Sequence, residues 1–384
     1  MPQFARKYKM ACSGCHDALA FPRLNDVGYK FRRAGFRMPE NIGKEELADF
    51  TLGDYFSARA QVDNTTAVDH VNGATTTSNT FTGEMNLYAL TGSFQKYFAS
   101  ETELTLSPGG SPDIENAYGR VVYGGEHLWV TGRAGVFHAF EGLGASDRSL
   151  GPSRPLIFDL TPNHNQDTLM RMVELNRIGV DVGVQWEDTS LSVEIVNRAH
   201  PEIADGSIGP TATGADGGGG KDLIVAANQI LGTRSGVSAY WAHGTAALPF
   251  DPESFAAGTG TETWNNRYDK VAAFASGGTA SLLFLGGAQL GFDHALDMTS
   301  GAKTRFTSIG GFVEANLGVT PYLVGYVRAD YFDPSTSVDS NHVVAGTVGA
   351  LIFQDWVSIT PELQVRRMTD ETTAAFIVHA NVIY

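Results

Sequence analysis

The chain has 384 residues, with 42 Asp and Glu against 27 Lys and Arg, 44 Gly, only 2 Cys and a formal net charge of −15. That acidic balance argues against nucleic acid as a partner, since phosphate binding needs a basic footprint, and two cysteines cannot staple a disulfide scaffold. Glycine exceeds the roughly 7% of average usage without the period of three that collagen requires.

Charge divides the chain. Residues 1–49 hold 9 Lys and Arg against 6 Asp and Glu, a net of +3, which leaves a net of −18 for residues 50–384. The asymmetry predicts a small basic module over 1–49 joined to a long acidic one over 50–384.

Both cysteines fall in one string, Cys12-Ser13-Gly14-Cys15-His16. C-x-x-C-H is the attachment pattern of haem c: the thiols add to the haem vinyl groups and the adjacent His16 ligates the iron. A redox dithiol expects a βαβ setting, which is absent here. A structural zinc site needs four ligands, and there is no second C-x-x-C to complete one. Covalent haem attachment takes place outside the cytoplasm, so an exported chain is expected. Met1-Pro2-Gln3-Phe4 runs straight into Ala5-Arg6-Lys7-Tyr8-Lys9 with no signal peptide, so the mature form is expected.

Beyond the motif, Leu24, Val27, Phe31 and Ala34 recur at helical spacing. Asn25 or Asp26 can cap this helix, Arg32 and Arg33 suit its last turn, and Gly35 suits its stop. One short helix cannot bury a haem, so further cover is expected from the rest of the chain. Met38 is the nearest soft candidate for a sixth iron ligand, Met and His being the usual axial partners. A His from elsewhere in the chain is its rival.

From Phe50 onward the pattern alternates. Phe56, Ala58, Ala60 and Val62 interleave with Ser57, Arg59 and Gln61, and stretches of the same kind recur to the end of the chain. About sixteen strands are predicted. Tight links near 95–97, 124–127, 186–189, 232–235, 286–287, 318–320 and 354–356 alternate with longer connections, the longest about 139–170, 199–220 and 246–265. Short turns at one rim, long loops at the other and an even strand count are the plan of an outer-membrane β-barrel. The predicted fold is therefore all-β: a 16-stranded antiparallel transmembrane β-barrel with a small α-helical N-terminal haem c module as its plug. The last strand, with Phe376, Val378, Ala380, Val382 and terminal Tyr384 on one face, fits this plan.

Val271–Phe292 carries no charged residue over a length that could span a membrane as a helix. Its glycines weaken a helix, and Gly286-Gly287 reads as a hairpin turn between two strands. Gly217–Gly220 lacks the context of a phosphate loop. Glu141, Asp147, Glu202, Asp205, Asp216, Asp251, Glu253 and Glu262 fall in the expected external loops, where hard oxygen ligands suit divalent cations.

Phe4-Ala5-Arg6-Lys7-Tyr8, Cys12-x-x-Cys15-His16, Phe21-Pro22-Arg23-Leu24-Asn25, Gly28, Phe31-Arg32 and Gly35-Phe36 together resemble the fused monohaem cytochrome–porins of the bacterial outer membrane. The best-known branch of that family is the outer-membrane iron oxidases. The resemblance is detailed over about residues 4–38; for the barrel it extends to length, strand count and plan. It implies one covalent haem c on Cys12 and Cys15 with His16 as ligand, and Met38 matches a Met that often follows the Gly-Phe/Tyr pair. It further implies one-electron transfer from extracellular Fe(II), or exchange with another external donor or acceptor, and delivery to a periplasmic electron carrier such as a soluble cytochrome or copper protein. The implied setting is outer-membrane lipid, with the haem module in the lumen or on the periplasmic side. Many iron oxidases carry a second His soon after the haem motif; this chain has Ala20-Phe21-Pro22 there. An outward-directed conduit, a diffusion porin with an accessory cytochrome and a soluble β-rich cytochrome are the alternatives.

Overall fold

The computed structural model describes residues 2–44, 52–110, 112–142, 151–159, 176–197, 221–249, 263–296, 303–334, 336, 342–354, 356–369 and 371–383. Its N-terminal segment carries two helices, α1 (Pro2–Tyr8) and α2 (Asp26–Arg33). The wall follows as β1 (Phe56–Val71), β2 (Ala74–Ala89), the two-residue stub β3 (Gly92–Ser93), β4 (Phe98–Leu106), β5 (Asp113–Gly124) and β6 (Leu128–His138). A one-turn helix, α3 (Leu156–Asp159), lies in the connection to β7 (Asn176–Trp186). β8 (Thr189–Asn197), β9 (Lys221–Gly232), β10 (Ser235–Pro249), β11 (Thr263–Gly278) and β12 (Leu282–Leu296) continue the wall. It is completed by β13 (Lys303–Thr320), β14 (Leu323–Asp333), β15 (Val343–Gln354), β16 (Val357–Arg367) and β17 (Glu371–Ile383).

Each full strand pairs antiparallel with its neighbour in sequence, and β17 pairs with β1 from Arg59↔Ile383 to Val71↔Glu371. Apart from the stub, this is a closed barrel of sixteen strands. Closure leaves no strand edge unpaired around the circuit, the condition for crossing hydrocarbon with strands. Among the described residues no helix is long and apolar enough to cross a membrane.

The two faces of the wall are inverted relative to a soluble β protein. Along β8, Leu191, Val193 and Ile195 are exposed while Ser190, Ser192 and Glu194 are buried. In β4 and β5, Glu101, Glu103, Asn116 and Arg120 are buried, and Phe98, Ile114 and Val121 are exposed. Apolar side chains face outward where lipid solvates them, and polar ones face the lumen. Phe376 and Val382 of the last strand point outward in the same way; Tyr384 lies outside the described residues.

Two turns differ from the sequence reading. Val271–Phe292 does form adjoining strands, but the hairpin turns at Thr279–Ser281, where Thr279 N donates to Leu282 O. Gly286 and Gly287 lie inside β12. A Cβ on Gly287 would sit 2.1 Å from the ring of Phe274, so the glycine makes room for an aromatic of the neighbouring strand. The second difference is a hairpin at Asn72-Gly73, whose positive φ angles of 50° and 81° match the type I′ turn that joins twisted strands. It lengthens the first strand to Val71 and moves the start of the second back to Ala74.

Candidate functional site

The C-x-x-C-H string forms a tight knot. Residues Cys12–Gly14 make a 3-10 turn, and His16 N donates to Cys12 O at 2.9 Å. Cys12 is exposed and Cys15 half-buried, both as free thiols. Burial pushes the Cys15 thiol up.

The orientation of His16 is the most informative feature. Its Nδ1 lies 2.7 Å from the carbonyl of Pro22. A carbonyl can only accept, so Nδ1 carries the proton and Nε2 carries the lone pair. Metal-ligating histidines are fixed in tautomer and ring angle by such a bond from the other ring nitrogen. The Phe21 ring packs against the imidazole with centroids 5.0 Å apart.

α2 holds this knot from behind. Asn25 caps the helix by accepting from Gly28 N at 2.9 Å, and its own N donates to Cys15 O at 2.9 Å. Its amide also donates to Ser13 O and Gly14 O. One asparagine thus ties helix start and motif together, settling the choice between Asn25 and Asp26. Gly28 lets the two touch: a Cβ there would stand 2.0 Å from Cys15 O. A salt bridge between Arg23 and Asp17 at 3.3 Å closes the loop that carries Pro22. Burial lowers Arg23 to about 10, opposed by Asp17.

The segment is fastened to the inner face of the wall. Gln3 meets Ser57 at the foot of β1. Arg37 donates to the carbonyls of Gln95, Lys96 and Phe98 at 2.6–3.0 Å. Tyr29 bonds Ser190 at 2.9 Å, Lys30 pairs with Asp188 at 2.7 Å, and Arg23 donates to Ser276. Most of these wall residues lie at or near the short turns, so the basic segment sits at that end. Met38 packs beside Phe4, Tyr8, Phe31, Phe36 and Ala99, on the β4 side.

Glu141 corrects the sequence reading. It was expected in an external loop as a candidate cation ligand; it is buried inside the barrel instead. It pairs with Arg133 at 2.7 Å, Arg32 at 3.3 Å and Arg120 at 3.6 Å. Burial alone would raise its carboxyl, but Arg32, Arg133 and Arg120 together hold it well below the usual carboxylate range. Arg32 belongs to α2, so Glu141 links the loop after β6 to the N-terminal segment. Sequence could not show this link, because Arg32 and Glu141 are separated by more than a hundred residues. The other loop carboxylates, Asp147, Glu202, Asp205, Asp216, Asp251, Glu253 and Glu262, lie outside the described residues. Among the described residues no group of three or more His, Cys, Asp or Glu side chains is placed to hold a metal ion.

The lumen is also unevenly filled. Phe140 and the α3 residues Leu156, Ile157 and Phe158 are buried with Tyr240, Phe274 and Phe312 in one apolar cluster. The Phe140 and Tyr240 rings meet at a tilt, with centroids 4.9 Å apart, and Phe158 lies 5.9 Å from both Phe274 and Phe312. Arg328 and Asp330 hold the segment before α3 against β14, with Leu156 N donating to Asp330 at 3.1 Å. Along β17 and β1, luminal polar side chains such as Arg59, Asp63 and His379 are only partly buried.

Solved structures share this architecture. The anion-selective porin from Comamonas acidovorans superposes with a TM-score of 0.58 at 11% identity, covering 86% of this chain and 99% of that one. The fold is that of an outer-membrane porin. OmpT of Vibrio cholerae, an outer-membrane protein, gives 0.53 at 11% identity over the same shares, and Pseudomonas putida OprB gives 0.50 at 8%, covering 86% and 94%. No family model matches the chain, and no curated protein does either.

Proposed function

We propose that this porin-like barrel works in the bacterial outer membrane as a single-haem electron conduit. In this reading it accepts electrons from extracellular Fe(II) and passes them to a periplasmic carrier, a soluble cytochrome or copper protein. Cys12 and Cys15 would hold one haem c by thioether bonds and His16 would ligate it. Bound there, a haem c supplies reversible one-electron Fe(III)/Fe(II) chemistry. The observation that carries the reading is the His16–Pro22 bond. It presets the imidazole tautomer that a ligand needs, directly after two thiols at the attachment spacing.

The chain's own residues do the remaining work. Asn25 and Gly28 clamp the motif on α2, Arg23 and Arg37 anchor the segment to the short-turn end of the barrel, and Arg32 ties it to Glu141 of the loop after β6. In outer-membrane barrels that end faces the periplasm, where a soluble carrier docks. The polypeptide needs no acid–base dyad, because no bond is made in the donor.

A diffusion porin is the second reading, favoured by the shared porin fold. Against it stand the apolar cluster around Phe158 and the segment bonded across the short-turn end, which narrow the path for solutes. Two measurements separate the readings. Purified protein should carry one covalent haem per chain by pyridine haemochromogen assay and lose it in the Cys12→Ser/Cys15→Ser variant. Mixed with Fe(II) near neutral pH in a stopped-flow instrument, it should show haem reduction. Absence of covalent haem after expression with a haem c maturation system would end the conduit reading. Covalent haem that Fe(II) never reduces, with or without chelators, would remove Fe(II) as donor.

A further inference from the structure

We infer that His379, on the barrel wall, is the sixth ligand of the haem held by Cys12, Cys15 and His16, with Asp63 as its positioning residue; this rests on the conduit reading above. The parity of β17 places it. Phe376 and Val382 are exposed on the lipid side, so His379 and Asn381 belong to the luminal face. His379 stands opposite Asp63 of β1 and Thr360 of β16, and Thr360 is a buried luminal residue.

Other histidines among the described residues do not share this placement. His138, His243 and His294 alternate with buried luminal neighbours and fall on the outer face. His70 lies beside the Asn72-Gly73 turn, His127 is in a short turn, and His342 stacks on outward-facing Tyr331. Beyond His16, His379 is thus the described histidine whose side chain points into the barrel.

Its bonding is that of a ligand held ready. Nδ1 of His379 bonds the Asp63 carboxylate. A carboxylate only accepts, so Nδ1 carries the proton and Nε2 the lone pair, now receiving Asn381 Nδ2 at 2.6 Å. A carboxylate behind an imidazole fixes its ring and raises its basicity toward a metal. The neutral amide of Asn381 is the group that yields when a stronger acceptor of that lone pair arrives. His16 carries the same logic with Pro22 in the carboxylate's place.

Position agrees. The anchors of the N-terminal segment fall on the foot of β1, on β4 through β11 and, where Leu19 packs against Gly318, on β13, so that β17 lies in the arc between β13 and β1. His379 lies four residues from the end of β17, about 10 Å above the short-turn rim for strands rising ~3.3 Å per residue at a tilt of ~40°. Met38, by contrast, is packed among Phe4, Phe31 and Phe36 on the β4 side.

Spectroscopy of the full-length holoprotein tests the assignment. The oxidised protein should be low-spin with two nitrogen ligands and without the sulfur-to-iron charge-transfer band of Met ligation. His379→Ala should convert it to a high-spin spectrum, and added imidazole should restore the low-spin form. Asp63→Asn should keep the low-spin spectrum while raising the midpoint potential, since a less basic imidazole stabilises Fe(III) less. Met38→Leu should leave the spectrum unchanged. A low-spin spectrum that survives His379→Ala, or a charge-transfer band lost in Met38→Leu, overturns the inference and leaves the conduit reading intact. Protein without covalent haem overturns both.

Discussion

Gly28→Ala sets two physical effects against each other. Intrinsic propensity favours Ala over Gly in a helix by about 1 kcal/mol, so an isolated α2 would gain. In the structure the new Cβ would lie 2.0 Å from Cys15 O and 2.9 Å from Cys15 C, whereas even close C–H···O contacts sit near 3.3 Å. Both sides of the clash are backbone, so no rotamer change relieves it, and α2 must back away by about 1.3 Å. Overpacking of this kind costs about 1–3 kcal/mol. The retreat also strains the Asn25 N–Cys15 O bond and the Asn25 cap, a cap being worth about 1 kcal/mol. The net is a destabilisation of about 2 kcal/mol, or a roughly 30-fold rise in local opening. Hydrogen exchange over residues 12–33 of the intact barrel in detergent reads this directly. Protection that is unchanged or higher in Gly28→Ala would show that the motif and helix are not in mutual contact.

Three further outcomes are expected. Glu141→Gln leaves Arg32, Arg120 and Arg133 short of a buried counter-charge, and should cost about 3–5 kcal/mol, seen as a lower midpoint in guanidinium unfolding; a shift within experimental scatter would refute the buried network. Because the folded carboxyl of Glu141 is depressed, its contribution is present above the ordinary Glu range and lost only as pH falls through the lower folded value. Protease resistance of α2 should therefore persist at pH 4 and fail in stronger acid, while release by pH 5 would contradict the assignment. Replacing Ile157 and Phe158 with Ser should raise ion conductance in planar bilayers relative to the unchanged protein, and equal conductance would show that this cluster does not obstruct the lumen.

Much of this was legible from residue order alone. Alternation in segments such as Thr189–Asn197 fixed which side chains face apart, because strand periodicity is local. The hairpin at Asn72-Gly73 carries one of the strongest turn signals in the chain, yet it sits among threonines with little hydrophobic contrast to mark the flanking strands. Gly286-Gly287 misled for the opposite reason: paired glycines look like a turn, and only the Phe274 ring on the neighbouring strand explains them. Asn25 and Gly35 were readable as helix boundaries, while the role of Gly28 against Cys15 depends on how the chain folds back on itself.

By itself the sequence determined the C-x-x-C-H spacing, the basic stretch ahead of an acidic body, and the strand number and plan of the barrel. Those follow from covalent spacing, composition and the period-two pattern, all of which are short-range. Tertiary structure decided which side chains meet across the lumen. It turned Glu141 from a loop acid into a buried counter-ion for three arginines, and it brought α3 inside to pack on Phe274 and Phe312. It also set His379 beside Asp63 across 316 positions of sequence. Barrel closure makes such neighbours, joining the last strand to the first and fixing the register between them.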